Sequence, residues 1–359
     1  MSKQYHMKGD GYYNAHSAPQ LASINDCLPW LLNSLEDLQL PQDKQIRTLD
    51  VGCSQGGNSV EMLQQLIPSL RERGAASIQP SLADLPSNDF NSVFAKLFPG
   101  GVNILGDDVL PAVIGGSAYE RLAPANSLHV VTTFNMLGWR KDKPVGPLHN
   151  TVGAFLPTPY AKPEQGAEIN PDEVAAVHAQ AAGDLVSFFK CRAEELVSGG
   201  KMLVQIFGRN DEDGSVAHGW LDALNDVIRA MIAEGKCTQQ ALDDFIFPVV
   251  WRKLDELLEP LTTNDELRRA FTIERSASWE VPVDFNQRYA ESGDVLKWAH
   301  EYMEVFRAVT ETTLAHLFPE ADRTQRLEEV YQRIVQLFAH DPVRYQFHYY
   351  SIAVLVTRN

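Results

Sequence analysis

The feature that most constrains the fold is an apolar run that enters a glycine-containing turn and continues into an amphipathic helix. The run covers residues 46–51, and the turn reads DVGCSQG over residues 50–56. Apolar residues then recur at helical spacing over residues 60–70, with Asn58 or Ser59 as the expected N-cap. A buried strand, a tight turn and a helix in this order form the first half of a βαβ unit, which predicts a parallel sheet.

The rest of the chain continues the alternation of buried strands and helices. After an N-terminal helix, the patterns predict these further elements: strands 77–84, 101–105, 127–133, 201–207 and 349–357, and helices 88–97 and 175–196. The strand at 77–84 should be short because Pro80 cannot donate to a ladder. Gly199-Gly200 is the expected C-cap of the second helix, and the last strand is expected at the sheet edge.

Two stretches break the alternation. Residues 140–170 are rich in proline and predict a surface excursion, whereas residues 215–317 are mostly amphipathic helix. The predicted fold class is therefore α/β, with a Rossmann-like sheet and a helical cap. Residues 1–214 and 318–359 would form the α/β core, and residues 215–317 the cap over the substrate.

Composition excludes some classes of partner. The net charge of −16 argues against broad contact with nucleic acid or with an anionic membrane. No window approaches the length and apolarity of a membrane span, and no apolar leader follows Met1. The four cysteines show no C-x-x-C spacing, which favours reduced thiols and a cytoplasmic protein.

The chemistry of the turn follows from its glycine spacing. Gly52 and Gly56 stand as G-x-x-x-G, not as the G-x-G-x-x-G that holds a pyrophosphate, which disfavours a nicotinamide oxidoreductase. A cofactor without phosphates fits better. Asp50 could complement the positive charges of S-adenosylmethionine, and Asp84, at the end of the second strand, could hold its ribose. A purely structural turn with incidental glycines is the alternative.

Several segments together resemble the SABATH methyltransferases, which methylate salicylate, benzoate, jasmonate and, in some members, xanthine nitrogens. The matching segments occur in family order: Met7 to Gly9 with Tyr13, Ser17 and Gln20; residues 49–58; residues 83–91 (ADLPSNDFN); Ser117 to Tyr119 with Arg121 and Leu122; residues 126–129 with Trp139; and residues 192–200 (RAEELVSGG) with Gly208 and Arg209. The resemblance covers most of the chain and implies the class I methyltransferase version of the sheet.

The resemblance also implies the ligands and the residues that contact them. S-adenosyl-L-methionine would be the cofactor, and a small-molecule carboxylic acid the substrate. The cofactor-binding residues would be Ser17, Gln20, Asp50, Gly52, Cys53, Asp84, Leu85, Ser117, Ala118 and Thr133. The substrate-binding residues would be Gln20, Asn135, Gly138, Trp139, Trp220, Phe306 and Tyr349. Gln20 and Trp139 would be the catalytic pair.

The sequence departs from the family pattern at three of these positions. Asn135 stands where the family has an aromatic residue, Gly138 replaces a bulky residue, and Ala118 replaces an aromatic residue near the adenine. These changes predict a pocket of different shape and greater polarity. The neighbouring Arg140-Lys141 pair follows a strand and is expected to be solvated; recognition of a second anionic group on the substrate is the alternative.

The predicted reaction is an in-line transfer of a methyl group to a carboxylate, giving a methyl ester. A carboxylate is already ionised at neutral pH, so no general base is required. Gln20 and Trp139 would each donate an N–H to it. No metal is expected, because the histidines form no ligand array. An N-methyltransferase acting on a heterocycle and a non-catalytic binding protein are the alternatives, and the family suggests a homodimer.

Overall fold

The computed structural model describes residues 6–141, 146, 148–149, 170–210 and 218–359. In this part of the chain the central element is a seven-stranded sheet with the order β3-β2-β1-β4-β5-β7-β6. Its strands are β1 (Gln45–Val51), β2 (Ser77–Asp84), β3 (Ala112–Gly115), β4 (Leu128–Phe134), β5 (Leu196–Phe207), β6 (Phe271–Glu280) and β7 (Tyr350–Arg358). Strands β1 to β5 pair in parallel, and β7 is antiparallel to both of its neighbours.

Helices cover both faces of the sheet, and further helices form a cluster of their own. They are α1 (Tyr12–Ala15), α2 (Ala18–Ser34), α3 (Gly57–Glu72), α4 (Phe90–Leu97), α5 (Pro171–Glu195), α6 (His218–Ala233), α7 (Gln239–Asp243), α8 (Leu254–Thr263), α9 (Asp265–Ala270), α10 (Asp284–Ser292), α11 (Val295–Leu314) and α12 (Arg323–His340). Helices α2 to α4 pack on one face, and α5, α8 and α9 on the other. None of the described helices has the length and apolarity needed to cross a membrane.

A separate hydrophobic cluster lies among α6, α7, α10, α11 and α12. Its aromatic rings stack closely; Tyr302 and Phe338, for example, have centroids 4.1 Å apart. Most of this cluster falls in the predicted cap at 215–317. However, β6 lies in the same interval and belongs to the main sheet, and α12 lies outside it but packs on α11. The division into core and cap therefore stays a prediction.

The α/β fold and the strand–turn–helix at β1 are confirmed, but several details of the prediction are wrong. Residues 101–105 form no strand, because Gly100 and Gly101 adopt positive φ and turn the chain there. The edge strand is β3 instead. Strand β2 is eight residues long despite Pro80, since β3 pairs with β2 only from Ser81 onward and leaves Pro80 one ladder neighbour.

Both helix caps and the position of the last strand also differ from the prediction. The N-cap of α3 is Gly56, because its φ of +82° suits glycine and not a side-chain cap. Helix α5 ends at Glu195, before Gly199, which lies within β5. Strand β7 is not at the sheet edge, because β6 pairs along its outer side. Most of the predicted excursion at 140–170 lies outside the described residues.

Candidate active site

The turn after β1 brings the backbone to the carboxyl end of the sheet. Gly52 and Gly56 have φ of +90° and +82°, and Ser54, at +47°, also adopts the left-handed region. The Gly52 N–H donates to the carbonyl of Ala83 at 2.8 Å, which holds the turn against β2. A Cβ at Gly52 would lie 2.5 Å from Met136 Cβ, so glycine is required here on steric grounds.

This turn forms one wall of a cavity of about 560 Å³, the larger cavity, at the carboxyl ends of β1, β2 and β4. Ligands of open α/β sheets bind at this edge. Seven of the residues predicted from the sequence line it: Gly52, Asp84, Leu85, Ser117, Ala118, Asn135 and Trp139.

Asp84 fixes the far side of the turn. Its carboxylate accepts from the backbone N–H of Ser54 and of Leu85, each at 2.7 Å. Asn88 donates to the Ser54 carbonyl at 2.6 Å, while the Ser54 hydroxyl has no partner among the described residues. Burial raises the pKa of Asp84, although the two N–H groups oppose the shift. An acidic side chain, a buried hydroxyl and close-approaching backbone therefore suit a polyhydroxylated, phosphate-free ligand.

Asp50, predicted to contact the cofactor, lies near the end of β1 beside the turn. It does not line the larger cavity; its carboxylate accepts from Ser59 Oγ at 2.5 Å and from Thr132 Oγ1 at 2.8 Å, and so joins β1 to α3 and β4. Burial raises the pKa of Asp50 to about 6 against these two hydrogen bonds. Four further predicted residues also lie outside the walls of both cavities described here: Ser17, Cys53, Thr133 and Tyr349.

The segment of residues 6–16 closes the site from the other side. Lys8 N–H donates to the Ala308 carbonyl, and its ammonium pairs with Glu311 at 2.9 Å. Asn14 accepts from the Gly57 N–H at 3.0 Å, and Gln55 donates to the Lys8 carbonyl at 2.9 Å. The segment thus connects α11 to the turn after β1. Its residues Met7 and Tyr13 line the larger cavity and also the cavity described next.

A smaller, more apolar cavity of about 70 Å³ adjoins the larger one. Its volume is several times the ~10–15 Å³ that one water requires, so it can take a small organic group. Trp220 stacks on Phe306 in its wall, with centroids 4.7 Å apart. The predicted residues Gln20, Asn135, Gly138, Trp139, Trp220 and Phe306 line it.

Polar groups in this apolar wall are available to a ligand. Gln20 is 1% exposed, and its Oε1 has no hydrogen-bond partner among the described residues. The indole N–H of the buried Trp220 also has none there. A buried polar group without a partner is costly. Gln20 Oε1 would be satisfied by a ligand group that donates, and the Trp220 N–H by one that accepts.

Asn135 and Trp139 stand where the two cavities meet, and both line each of them. Asn135 Oδ1 accepts from the hydroxyl of Tyr349 at 2.7 Å and from Gln205 Nε2 at 3.2 Å. The carbonyl of Trp139 accepts from the hydroxyl of Tyr119. Tyr349 therefore lies behind Asn135, instead of on the pocket surface where the sequence placed it.

A buried ion pair supports the loop of residues 117–123, which lines the larger cavity. Arg192 and Glu195 are fully buried and pair through two contacts of 2.6 and 2.8 Å. Arg192 also donates to the carbonyls of Ala118 and Glu120, and Glu195 accepts from the N–H groups of Leu122 and Ala123. This pair gives the RAEELV motif a structural function that the sequence did not reveal.

The expectation of a solvated Arg140 is wrong. Arg140 is 6% exposed, lines the larger cavity and donates to the Phe247 carbonyl at 3.1 Å. A segment more than 100 residues away covers it, which no local pattern could indicate. Phe247, Val249 and Trp251, which line the smaller cavity, are among the other wall residues that sequence reasoning missed, because they too come from a segment distant in the chain. Met7 and Tyr13 were within the matching motifs, which could have marked them.

No group of His, Cys, Asp and Glu side chains in the described part of the chain could hold a metal ion. The four cysteines are free thiols.

Comparison with known proteins agrees with this geometry. The sequence matches the family of SAM dependent carboxyl methyltransferases over residues 2–359. It is 28% identical to gibberellic acid methyltransferase 2 of Arabidopsis thaliana over 68% of this chain and 67% of that protein. It is 31% identical to salicylate carboxymethyltransferase of Clarkia breweri, a match that spans 55% of each chain.

The fold is also similar to that of a solved structure, a loganic acid methyltransferase with SAH. The two superpose with a TM-score of 0.77 at 21% sequence identity, over 98% of each chain. A sequence match across nearly the whole chain, the same fold and a cavity at the expected sheet edge all agree. The chain therefore belongs to the SABATH family of S-adenosylmethionine-dependent carboxyl methyltransferases.

Proposed function

We propose that this enzyme methylates the carboxylate of a small organic acid with an apolar body, giving a methyl ester. The observation that carries the proposal is the junction of two unlike cavities. The larger one is bounded by Asp84 and the turn after β1, and the smaller one is lined largely by aromatic rings. A methyl donor in the first and an acid in the second would meet at Trp139 and Asn135.

Residues of the larger cavity would hold S-adenosylmethionine. Asp84 would accept hydrogen bonds from the ribose hydroxyls, as its place at the end of β2 suggests. The loop of residues 117–123 would pack against the adenine, where Ala118 leaves more room than the family's aromatic residue. Ser54, whose hydroxyl has no partner among the described residues, would add a polar contact. When bound, this cofactor supplies a methyl group on a positively charged sulfur.

The substrate side requires orientation and no proton transfer. An acid with a pKa near 4 is ionised at neutral pH, so its oxygen is already nucleophilic. Gln20 and Trp139 would donate N–H groups to the carboxylate and aim one oxygen at the methyl carbon. In the transfer that this alignment would serve, the O–CH₃ bond would form as the C–S bond broke, and the electron pair of the C–S bond would stay on the sulfur. Correct alignment can supply much of the rate enhancement of such a reaction.

Exclusion of water is the second contribution of the protein. Trp220 and Phe306 line the smaller cavity, and Met7 and Tyr13 close the junction from the N-terminal segment. A carboxylate bound at this junction would lose its water shell. Protein N–H groups that are already oriented would then replace that water as hydrogen-bond donors.

The test is turnover on a defined panel. Purified enzyme would receive S-adenosylmethionine with benzoate, salicylate, cinnamate or hexanoate, and with benzamide and imidazole as nitrogen acceptors. We expect a base-labile methyl ester by mass spectrometry, together with an equal amount of S-adenosylhomocysteine. The Asp84→Asn variant is the control, because it should lose activity through the cofactor. Methylation of imidazole alone, or cofactor binding without any esterification, would contradict the proposal.

A cytoplasmic location and a homodimer are part of the proposal. The spacing of the cysteines supports the first, and the family resemblance suggests the second. Gel filtration with light scattering would measure the mass in solution.

A further inference from the structure

The side chain of Asn135 is held in one orientation by two buried groups. The hydroxyl of Tyr349 and Nε2 of Gln205 both donate to its Oδ1, and Tyr349 and Gln205 are each 0% exposed. Two donors satisfy the acceptor capacity of an amide oxygen. The NH₂ group of Asn135 is therefore the part that remains for the cavities, and no described residue accepts from it.

The arrangement behind Asn135 extends across the sheet. Gln205 Nε2 also donates to Ser351 Oγ at 2.9 Å, and Ser23 donates to the same oxygen at 2.9 Å. The backbone of Asn135 has a φ of +56°, a conformation that asparagine tolerates better than most residues. Backbone and side chain thus both fix the amide at the junction.

We propose that Asn135 donates a third hydrogen bond to the reacting carboxylate and thereby makes the site selective for carboxylates over nitrogen acceptors. This inference rests on the function proposed above. A carboxylate offers about four lone-pair positions. One must point at the methyl carbon, and the other three match the amide of Gln20, the indole of Trp139 and the amide of Asn135.

The number of lone pairs on the acceptor also accounts for the proposed preference for carboxylates over nitrogen acceptors. A heterocyclic nitrogen presents a single lone pair, and it uses that pair to attack the methyl carbon. The three donors would then remain desolvated without an acceptor, which is unfavourable. Tyr349 acts through Asn135 and is a positioning residue.

The experiment uses the panel acid that the wild type esterifies fastest. Asn135→Asp keeps the shape and the acceptor for Tyr349 but replaces the NH₂ group with a carboxylate oxygen. We expect kcat/KM to fall by about 30-fold or more, since a hydrogen bond to a charged group is lost and repulsion is added. Binding of S-adenosylhomocysteine, which lacks the sulfonium charge, should change by less than about twofold in calorimetry.

Two further variants separate positioning from general damage. Asn135→Gly removes the side chain at a φ that glycine tolerates, and should lower kcat/KM by about tenfold. Tyr349→Phe should lower it less, mainly through kcat, and should have no further effect in the Asn135→Gly background, because its contribution passes through the missing amide.

Each outcome decides the inference. If the wild type esterifies the acid and Asn135→Asp has the same kcat/KM, the inference is overturned. It is also overturned if Asn135→Asp loses S-adenosylhomocysteine affinity in parallel with kcat/KM. Additive effects of Asn135→Gly and Tyr349→Phe overturn the positioning role. If the wild type esterifies no acid of the panel, the proposed function fails, and this inference fails with it.

Discussion

The buried pair of Arg192 and Glu195 should control cofactor binding from beneath the 117–123 loop. Arg192→Met keeps an unbranched apolar stem of similar length to the aliphatic part of arginine, removes the guanidinium group, and leaves the Glu195 carboxylate fully buried without its cation. Breaking a buried pair on one side costs about 3–5 kcal/mol of folding free energy. The variant also loses the hydrogen bonds to the carbonyls of Ala118 and Glu120, so the loop loses the contacts that hold it.

The assay is unfolding in urea followed by tryptophan fluorescence, combined with calorimetric titration of S-adenosylhomocysteine. The matched control is Arg121→Met, because the Arg121–Glu194 pair lies nearby but is exposed, at 47% and 60%, with a separation of 3.6 Å. Exposed pairs contribute about 0–1 kcal/mol. We expect the Arg192 variant to bind S-adenosylhomocysteine about tenfold more weakly and the control to bind it normally.

Two results would refute this reasoning. If Arg192→Met destabilises the fold no more than Arg121→Met does, the buried pair has no special energetic role. If it destabilises the fold but leaves the affinity for S-adenosylhomocysteine intact, the loop does not depend on the pair.

Three other predictions concern the cavity walls and the strand beneath them. Gly52→Ala should abolish measurable binding of S-adenosylhomocysteine in calorimetry, because its Cβ would lie 2.5 Å from Met136 at a φ of +90°; normal affinity would contradict this. Since burial raises the pKa of Asp50 to about 6, its protonated form favours folding, and this stabilisation is full below about pH 4 and lost as pH rises through 6. Asp50→Asn should therefore flatten the pH dependence of the free energy of unfolding in urea from pH 4 to 7, whereas an unchanged slope would count against the shift. Trp139→Phe should raise KM for the acid more than the dissociation constant of the cofactor, and equal losses would argue against its role as a donor to the carboxylate.

The sequence predicted most of the sheet because β1, β4 and β5 carry buried apolar runs and β2 has buried Ile78, Leu82 and Ala83. It missed β6, whose outer side is exposed at the sheet edge and whose sequence is largely polar. It also placed a strand at 101–105, because an apolar run there resembles a strand although Gly100 and Gly101 turn the chain. Local patterns thus identify buried elements better than edge strands.

A site residue could be predicted from the sequence where its position relative to a strand and a turn can be read directly along the chain. Asp84 could be found because it ends a strand next to the glycine turn. Gln20 and Trp139 were found only through the family resemblance. Neither the local sequence pattern nor the family resemblance could reveal the hydrogen bonds that hold Asn135, because their donors Gln205 and Tyr349 are 70 and 214 residues away from it in sequence.

The shared wall of the two cavities has a consequence for inhibitor design. Met7, Tyr13, Asn135 and Trp139 border both volumes, so the cofactor side and the acid side lie directly next to each other. A single molecule that joins an adenosyl thioether to an aryl group through a short linker could occupy both at once. Linking two weak ligands at matched distance can raise affinity by about 10²–10⁴-fold. Such a bisubstrate compound would also report the distance between sulfur and acceptor through the linker length that binds best.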